Sequence, residues 1–159
     1  MAFKAFRIKQ VDGDIQSGFE QLEINDLSAG EVVVRVQYSG INYKDALAAT
    51  GKGRITLVPS VNGGIDLVGV VDSSTDERFH DGDAVLVCGA GLSETLDGGY
   101  SEFARVRGDA VVPLPLGLTA WEAGALGTAG FTAALARSSG AVSTAKEGRL
   151  IPTIRGGLA

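Results

Sequence analysis

Residues 40–69 read GINYKDALAATGKGRITLVPSVNGGIDLVG and hold the densest cluster of side chains able to do chemistry. Asn42 is followed three positions on by Asp45, a capping-box arrangement, so the pattern predicts a short helix over residues 42–49. Gly51 and Gly53 can end it. Residues 52–61 read as a loop directed by Pro59. Residues 65–71 are an apolar run closed by Asp72, the mark of a buried strand.

Upstream, Val32–Tyr38 is a strand by strict alternation. It sets Val32, Val34, Val36 and Tyr38 on one face and Arg35 and Gln37 on the other. Residues 3–10 alternate as an edge-type strand, Asp12-Gly13 is a turn, and residues 19–24 form a second, weaker strand. Downstream, residues 73–80 are a polar excursion. His80-Asp81-Gly82-Asp83 turns into a strand over residues 84–88, and residues 89–99 make a long loop. Residues 100–107 alternate again, and Val111-Val112 runs into Pro113 and Pro115, which break a strand ladder. Thr119 with Glu122 is a second capping box, opening a helix over residues 121–126. Gly127-Thr128 ends it, and residues 129–137 form a third helix with Phe131 and Leu135 at i,i+4 spacing. Residues 138–159 read as a tail. Six or so short strands with glycine turns and few helices predict a mainly β fold, a small, partly open barrel or folded-over sheet.

The chain has 159 residues, enough for one domain with a real core. Its 23 glycines follow no fixed period, which suits a turn-rich β protein. The formal net charge of -5, with no Lys/Arg cluster, argues against nucleic acid. No apolar run is long enough for a transmembrane helix, and MAFKAFRIKQ is too charged for a signal peptide. One cysteine permits no internal disulfide and points to a reducing, cytoplasmic compartment. Cys88 and His80 alone cannot build a zinc-finger ligand set.

Within the helix, Asn42 and Asp45 can meet at i,i+3 while Tyr43 and Lys44 splay. Tyr43 offers a phenol. Lys44 offers a cation that could hold a phosphate or lower a neighbouring phenol's pKa. The bland alternative leaves Asn42 and Asp45 as caps and Lys44 as a solvated residue. Asp66 is either a turn residue after Gly63-Gly64 or a site residue, the turn being favoured. Thr128 either caps a helix or binds a ligand oxygen. Gly89-Ala90-Gly91 is half of a phosphate loop, and no G-x-G-x-x-G occurs anywhere. His80 reads as an exposed turn residue, Cys88 as a small buried hydrophobe and Trp121 as packing.

The segments SGINYKDALAATGKG (39–53), GGIDLVGVV (63–71), RFHDGDAVLVCGAGLSE (78–94), DGGYSEFARVRGDAVVPLP (97–115) and LGTAGFTAALA (126–136) resemble the medium-chain dehydrogenase/reductase superfamily. More narrowly, they are similar to its zinc-free, YhdH-type subfamily of acryloyl-CoA reductases and quinone oxidoreductases. The resemblance implies a GroES-like catalytic domain over residues 1–127. It makes residues 128–137 the helix that leads into a Rossmann domain, with residues 138–159 a tail. Zinc-dependent relatives place a Cys just after the glycine that is Gly40 here and a His in the stretch 63–66; this chain has Ile41-Asn42 and no such His, so no metal is expected.

The resemblance also implies NADPH as cofactor and an enoyl thioester or quinone as acceptor. Tyr43 would be the donor or proton source, helped by Asn42 or Lys44 and positioned by Asp45. Asn42 and Thr128 would contact the nicotinamide. The family continues past residue 136 through a Rossmann domain. The chain is therefore expected to be truncated, weak or inactive alone, and liable to form a homo-oligomer through Phe131 and Leu135. The alternative is a non-catalytic GroES-like binding or assembly module.

Overall fold

The computed structural model describes residues 2–138. It contains two antiparallel sheets. The three-stranded sheet runs β2-β1-β4, from β1 (Phe3–Val11), β2 (Asp14–Leu22) and β4 (Ser60–Asn62). The five-stranded sheet runs β7-β3-β5-β6-β8, from β3 (Val32–Tyr38), β5 (Asp66–Ser74), β6 (Ala84–Cys88), β7 (Phe103–Val106) and β8 (Val112–Pro113). Residues 100–102 join the sheets. Phe6 N–H donates to the Tyr100 carbonyl, Glu102 N–H to the Lys4 carbonyl, and Val36 N–H to the Glu102 carbonyl. The result is the mainly β, folded-over architecture that the alternating segments predict.

Several elements differ from their sequence reading. β1 is the central strand of its sheet, not an edge, because the short β4 pairs with Arg7, Ile8 and Lys9. β2 begins directly after the Asp12-Gly13 turn, so Gln16, Ser17 and Gly18, poor strand formers, are carried into it by the hairpin register. In β3 the alternation breaks near its end: Val36 pairs with Gly69 and Tyr38 with Val68, a bulge at Gln37. Val32 and Val34 are fully buried, yet Tyr38 is exposed and Val33 is buried on the other face. Pro113 does not break the ladder; it lies opposite Val85 in β8 at the sheet edge, where a missing N–H is tolerated. Trp121 is exposed and packs into no core.

The largest core lies against the five-stranded sheet and includes Val34, Leu67, Val85, Val87, Leu92 and Val106. Phe3, Ala5, Leu22 and Leu27 form a second cluster, and Ile8, Ala48 and Val61 a third. One polar junction fastens the three-stranded sheet to the loop over residues 89–99. Asp97, 3% exposed, accepts from Arg7 Nη1 (2.7 Å), Ser28 N–H (2.7 Å), Ser28 Oγ (2.8 Å) and Asn62 N–H (2.8 Å).

α1 (Tyr43–Thr50) has Asn42 as N-cap and Gly51 as C-cap, the latter at φ +67 as a left-handed cap requires. α2 (Ala120–Ser138) opens on the Thr119–Glu122 box, in which the Thr119 N–H and hydroxyl donate to Glu122 Oε2. Its helical path is interrupted at Gly127 (φ 44, ψ -154), so the two helices read from sequence are adjoining pieces. The chain divides into two compact units at this point, residues 1–128 and residues from 129 onward. In the second unit Phe131 and Leu135 are exposed. The expected tail lies outside the described residues beyond Ser138.

Candidate active site

Two buried carboxylates organise the residues around the N-terminus of α1. Asp66 opens β5 and is 3% exposed. Its Oδ1 accepts the Gly40 N–H at 2.8 Å. Its Oδ2 accepts Asn42 Nδ2 at 3.0 Å and the Thr128 N–H at 3.1 Å. The backbone must come close for this to happen. A Cβ at Gly127 would lie 2.6 Å from Asp66 Oδ2, and Gly127 has the positive φ that turns the Thr128 amide at the break in α2. Asp66 thus gathers three donors from two distant segments, residues 40–42 and Thr128, which a simple turn residue would not do.

Asp45 is the second carboxylate, also 3% exposed. Its Oδ2 accepts the Asn42 N–H at 2.8 Å, the capping bond expected from spacing, and the Tyr100 hydroxyl at 3.1 Å. Its Oδ1 accepts the Ile65 N–H at 3.0 Å. These donors are all neutral, so the negative charge of the two carboxylates is solvated by dipoles and not cancelled by a hydrogen-bonded cation. Burial, the Asp45 charge and hydrogen bond, and the Asp66 charge together raise the Tyr100 pKa well above the usual phenol range. Cys88 lies opposite Asp66 in the β5–β6 ladder. Burial and the Asp66 charge push its thiol up, against a lowering hydrogen bond with Thr128.

The expected residues divide into two sets. Asn42, Asp45 and Thr128 come together around Asp66. Tyr43 and Lys44 splay away, as helical spacing requires. Tyr43 is 81% exposed, and Lys44 pairs with Glu94 of the loop over residues 89–99. Tyr100 escaped the sequence reading because an aromatic in an alternating segment looks like packing; the glycines before it were the available signal. Gly99 has no room for a side chain, since a Cβ there would lie 2.2 Å from the Asp66 carbonyl oxygen. Among the described residues no group of three or more His, Cys, Asp or Glu side chains could hold a metal ion.

Residues 28–116, which carry both buried carboxylates and the short helix α1, match the model of the alcohol dehydrogenase GroES-like domain. The chain belongs to that family. It is similar to the acrylyl-CoA reductase AcuI of Ruegeria pomeroyi, 49% identical over 125 residues, covering 78% of this chain and 38% of that one. YhfP of Bacillus subtilis, a quinone oxidoreductase by name, is 44% identical over 133 residues, covering 84% of this chain and 40% of YhfP. The crystal structure of the yhdH oxidoreductase of Salmonella enterica in complex with NADP is 47% identical, with a TM-score of 0.82, covering 86% of this chain and 42% of that one. The chain therefore spans about two fifths of the length of these relatives.

Proposed function

We propose that this chain supplies the acceptor-side half of an NADPH-dependent reductase site acting on an enoyl thioester or a quinone. The supporting observation is the pair Asp45 and Asp66, two buried carboxylates held by neutral donors. Such a pair sets a negative potential at the α1 mouth, which suits a nicotinamide that becomes cationic as it gives up hydride. The residues fit the ring in a second respect. The Gly127 break and the Asp66 bonds fix Asn42 and the Thr128 backbone side by side, giving a rigid edge against which a flat carboxamide ring can lie. NADPH, when bound, supplies the hydride.

The chain's own residues do the rest. Asn42 and Thr128 orient the ring, and Asp66 holds both. Tyr43, projecting into solvent from the first turn of α1, donates its hydroxyl proton to the acceptor carbonyl oxygen; in a thioester the resulting enol passes a proton to the α-carbon, and solvent reprotonates Tyr43. Lys44, on the same first turn and away from Asp45 and Asp66, lends the positive charge that its ion pair with Glu94 leaves uncancelled near the developing oxyanion. Asp45 keeps Asn42 and Tyr100 in register. The single free thiol, Cys88, suits a reducing compartment.

The test is an NADPH titration of the protein, followed by turnover with acrylyl-CoA and with a small quinone. Saturable binding followed by turnover supports this reading, and Tyr43→Phe should then lower turnover about 100-fold while KM changes little. Unchanged turnover in Tyr43→Phe would remove Tyr43 as donor. No binding up to millimolar NADPH would leave the second reading, a non-catalytic module. The exposed Phe131 and Leu135 favour that reading, which predicts concentration-dependent self-association.

A further inference from the structure

Beside the carboxylate pair, a cavity of about 500 Å³ opens between the β1–β2 hairpin and α1, lined by Phe6, Phe19, Ile41, Ala46, Ala49 and Tyr100, with Ser39 and Asp45 at its polar end. That volume is ordinary for a small-molecule site. Its walls are rings set edge to face: Phe6 and Phe19 at 5.4 Å and 73°, Phe6 and Tyr100 at 6.3 Å and 71°. Phe19 and Ile41 stand 67% and 89% exposed at its mouth, large apolar surface left in water.

The polar side chains of the lining are already committed. Ser39 Oγ donates to the Asp66 carbonyl at 2.6 Å. The Tyr100 hydroxyl lies 3.1 Å from both the Gly40 carbonyl and Asp45 Oδ2. Asp45 accepts its three donors. The lining side chains therefore keep no donor for an incoming carbonyl or amide, and the Asp45 charge disfavours an anion. A quinone ring would leave its carbonyls unpaired here, and a pantetheine arm its amides. A hydrocarbon loses nothing.

We infer that this cavity takes an alkyl substituent of the acceptor, making the preferred substrates enoyl thioesters with several carbons beyond the reducible double bond. The inference rests on the proposed reductase site for the identity of the head group, which lies towards Asn42 and Tyr43. The cavity itself is tested without cofactor.

The experiment titrates propanamide, butanamide, pentanamide and hexanamide into the ¹⁵N-labelled protein. These probes are neutral and do not alkylate Cys88. Affinity is expected to rise about fourfold per added methylene, with amide shifts at Phe6, Phe19, Ala46 and Ala49. Ala46→Trp fills the cavity from an exposed helix position and should flatten the series. Phe19→Ser removes one wall from an exposed strand position and should shrink the increment per methylene. It stands as the independent variant if Ala46→Trp does not fold. A flat series in the wild type overturns the inference, as does a slope that survives both substitutions. A normal slope in a protein that neither binds NADPH nor turns over retires the reductase reading and keeps the cavity. Turnover with a flat series does the reverse.

Discussion

Asp66→Asn isolates the central claim, that one carboxylate holds three separate backbone and side-chain donors. An amide at this position has a single acceptor oxygen. Turned to keep Asn42 and Thr128, it points its NH2 at the Gly40 N–H; turned to keep Gly40, it opposes the other two donors. The less costly orientation loses one hydrogen bond to a charged group and creates one donor–donor contact in a residue 3% exposed. At about 1.5 kcal/mol for the bond and a little more for the clash, the cost is about 2 kcal/mol.

Asn42→Asp alone still caps α1 but sets a second carboxylate 3.0 Å from the first, costing at least about 2 kcal/mol. In the double substitution the amide introduced at position 66 donates to the carboxylate introduced at position 42 and accepts from Gly40. The original charge is restored, and the remaining cost is the lost Thr128 bond with the NH2 set against the Thr128 N–H. The double should therefore cost about 2 kcal/mol rather than the additive value of about 4 kcal/mol. Urea unfolding followed by far-ultraviolet circular dichroism at neutral pH measures all four proteins, with a constant m-value as the check on two-state behaviour. Additive costs, or an Asp66→Asn cost under about 0.5 kcal/mol, would refute the reasoning.

Asp97→Ala should be among the most destabilising single changes, about 3–5 kcal/mol by the same urea assay, because it leaves the largely buried Arg7 guanidinium without its 2.7 Å partner and orphans Ser28 and Asn62 donors as well. The alkaline limb of stability should depend on Tyr100. Its folded pKa lies above the ordinary value of 10.0, so the unfolded chain loses the phenolic proton first. The contribution is intact below that pH and is lost as pH rises through the folded value. Between about pH 9 and about pH 11, Tyr100→Phe should lose less of its urea midpoint than the wild type; an equal loss in both proteins would show that Tyr100 does not carry this limb.

How much could be read in advance follows from the range of each interaction. Val32–Tyr38 and Ala84–Cys88 were legible as strands because alternation and β-branching are local. α1 was legible because Asn42, Asp45 and Gly51 write its start and stop within one short stretch. The Ser60–Asn62 strand was not, since three residues carry no period and only the distant β1 makes them a strand. The bulge at Gln37 was hidden for the same reason: it depends on the register against Gly69 and Val68. In the site, Asn42 and Asp45 could be paired by counting residues. Asp66 could not be told from a turn residue, because its partners lie 26, 24 and 62 residues away. Tyr100 reaches Asp45 across 55 residues, and no local pattern marks it.

Those separations also order the assembly of the site in time. Closing the 62-residue loop to the Thr128 amide costs about 0.8 kcal/mol more chain entropy than closing the 24-residue loop to Asn42. The contacts inside the β3–β5 region therefore close at the lower chain-entropy cost, and the Thr128 bond is expected to form last and open first. Asp66 is then a timer as well as an anchor. Until Thr128 docks, Asp66 Oδ2 holds only the Asn42 amide and keeps one acceptor position for water; the Thr128 amide then takes that position. Exchange of the Thr128 amide proton with solvent counts how often that happens in reverse.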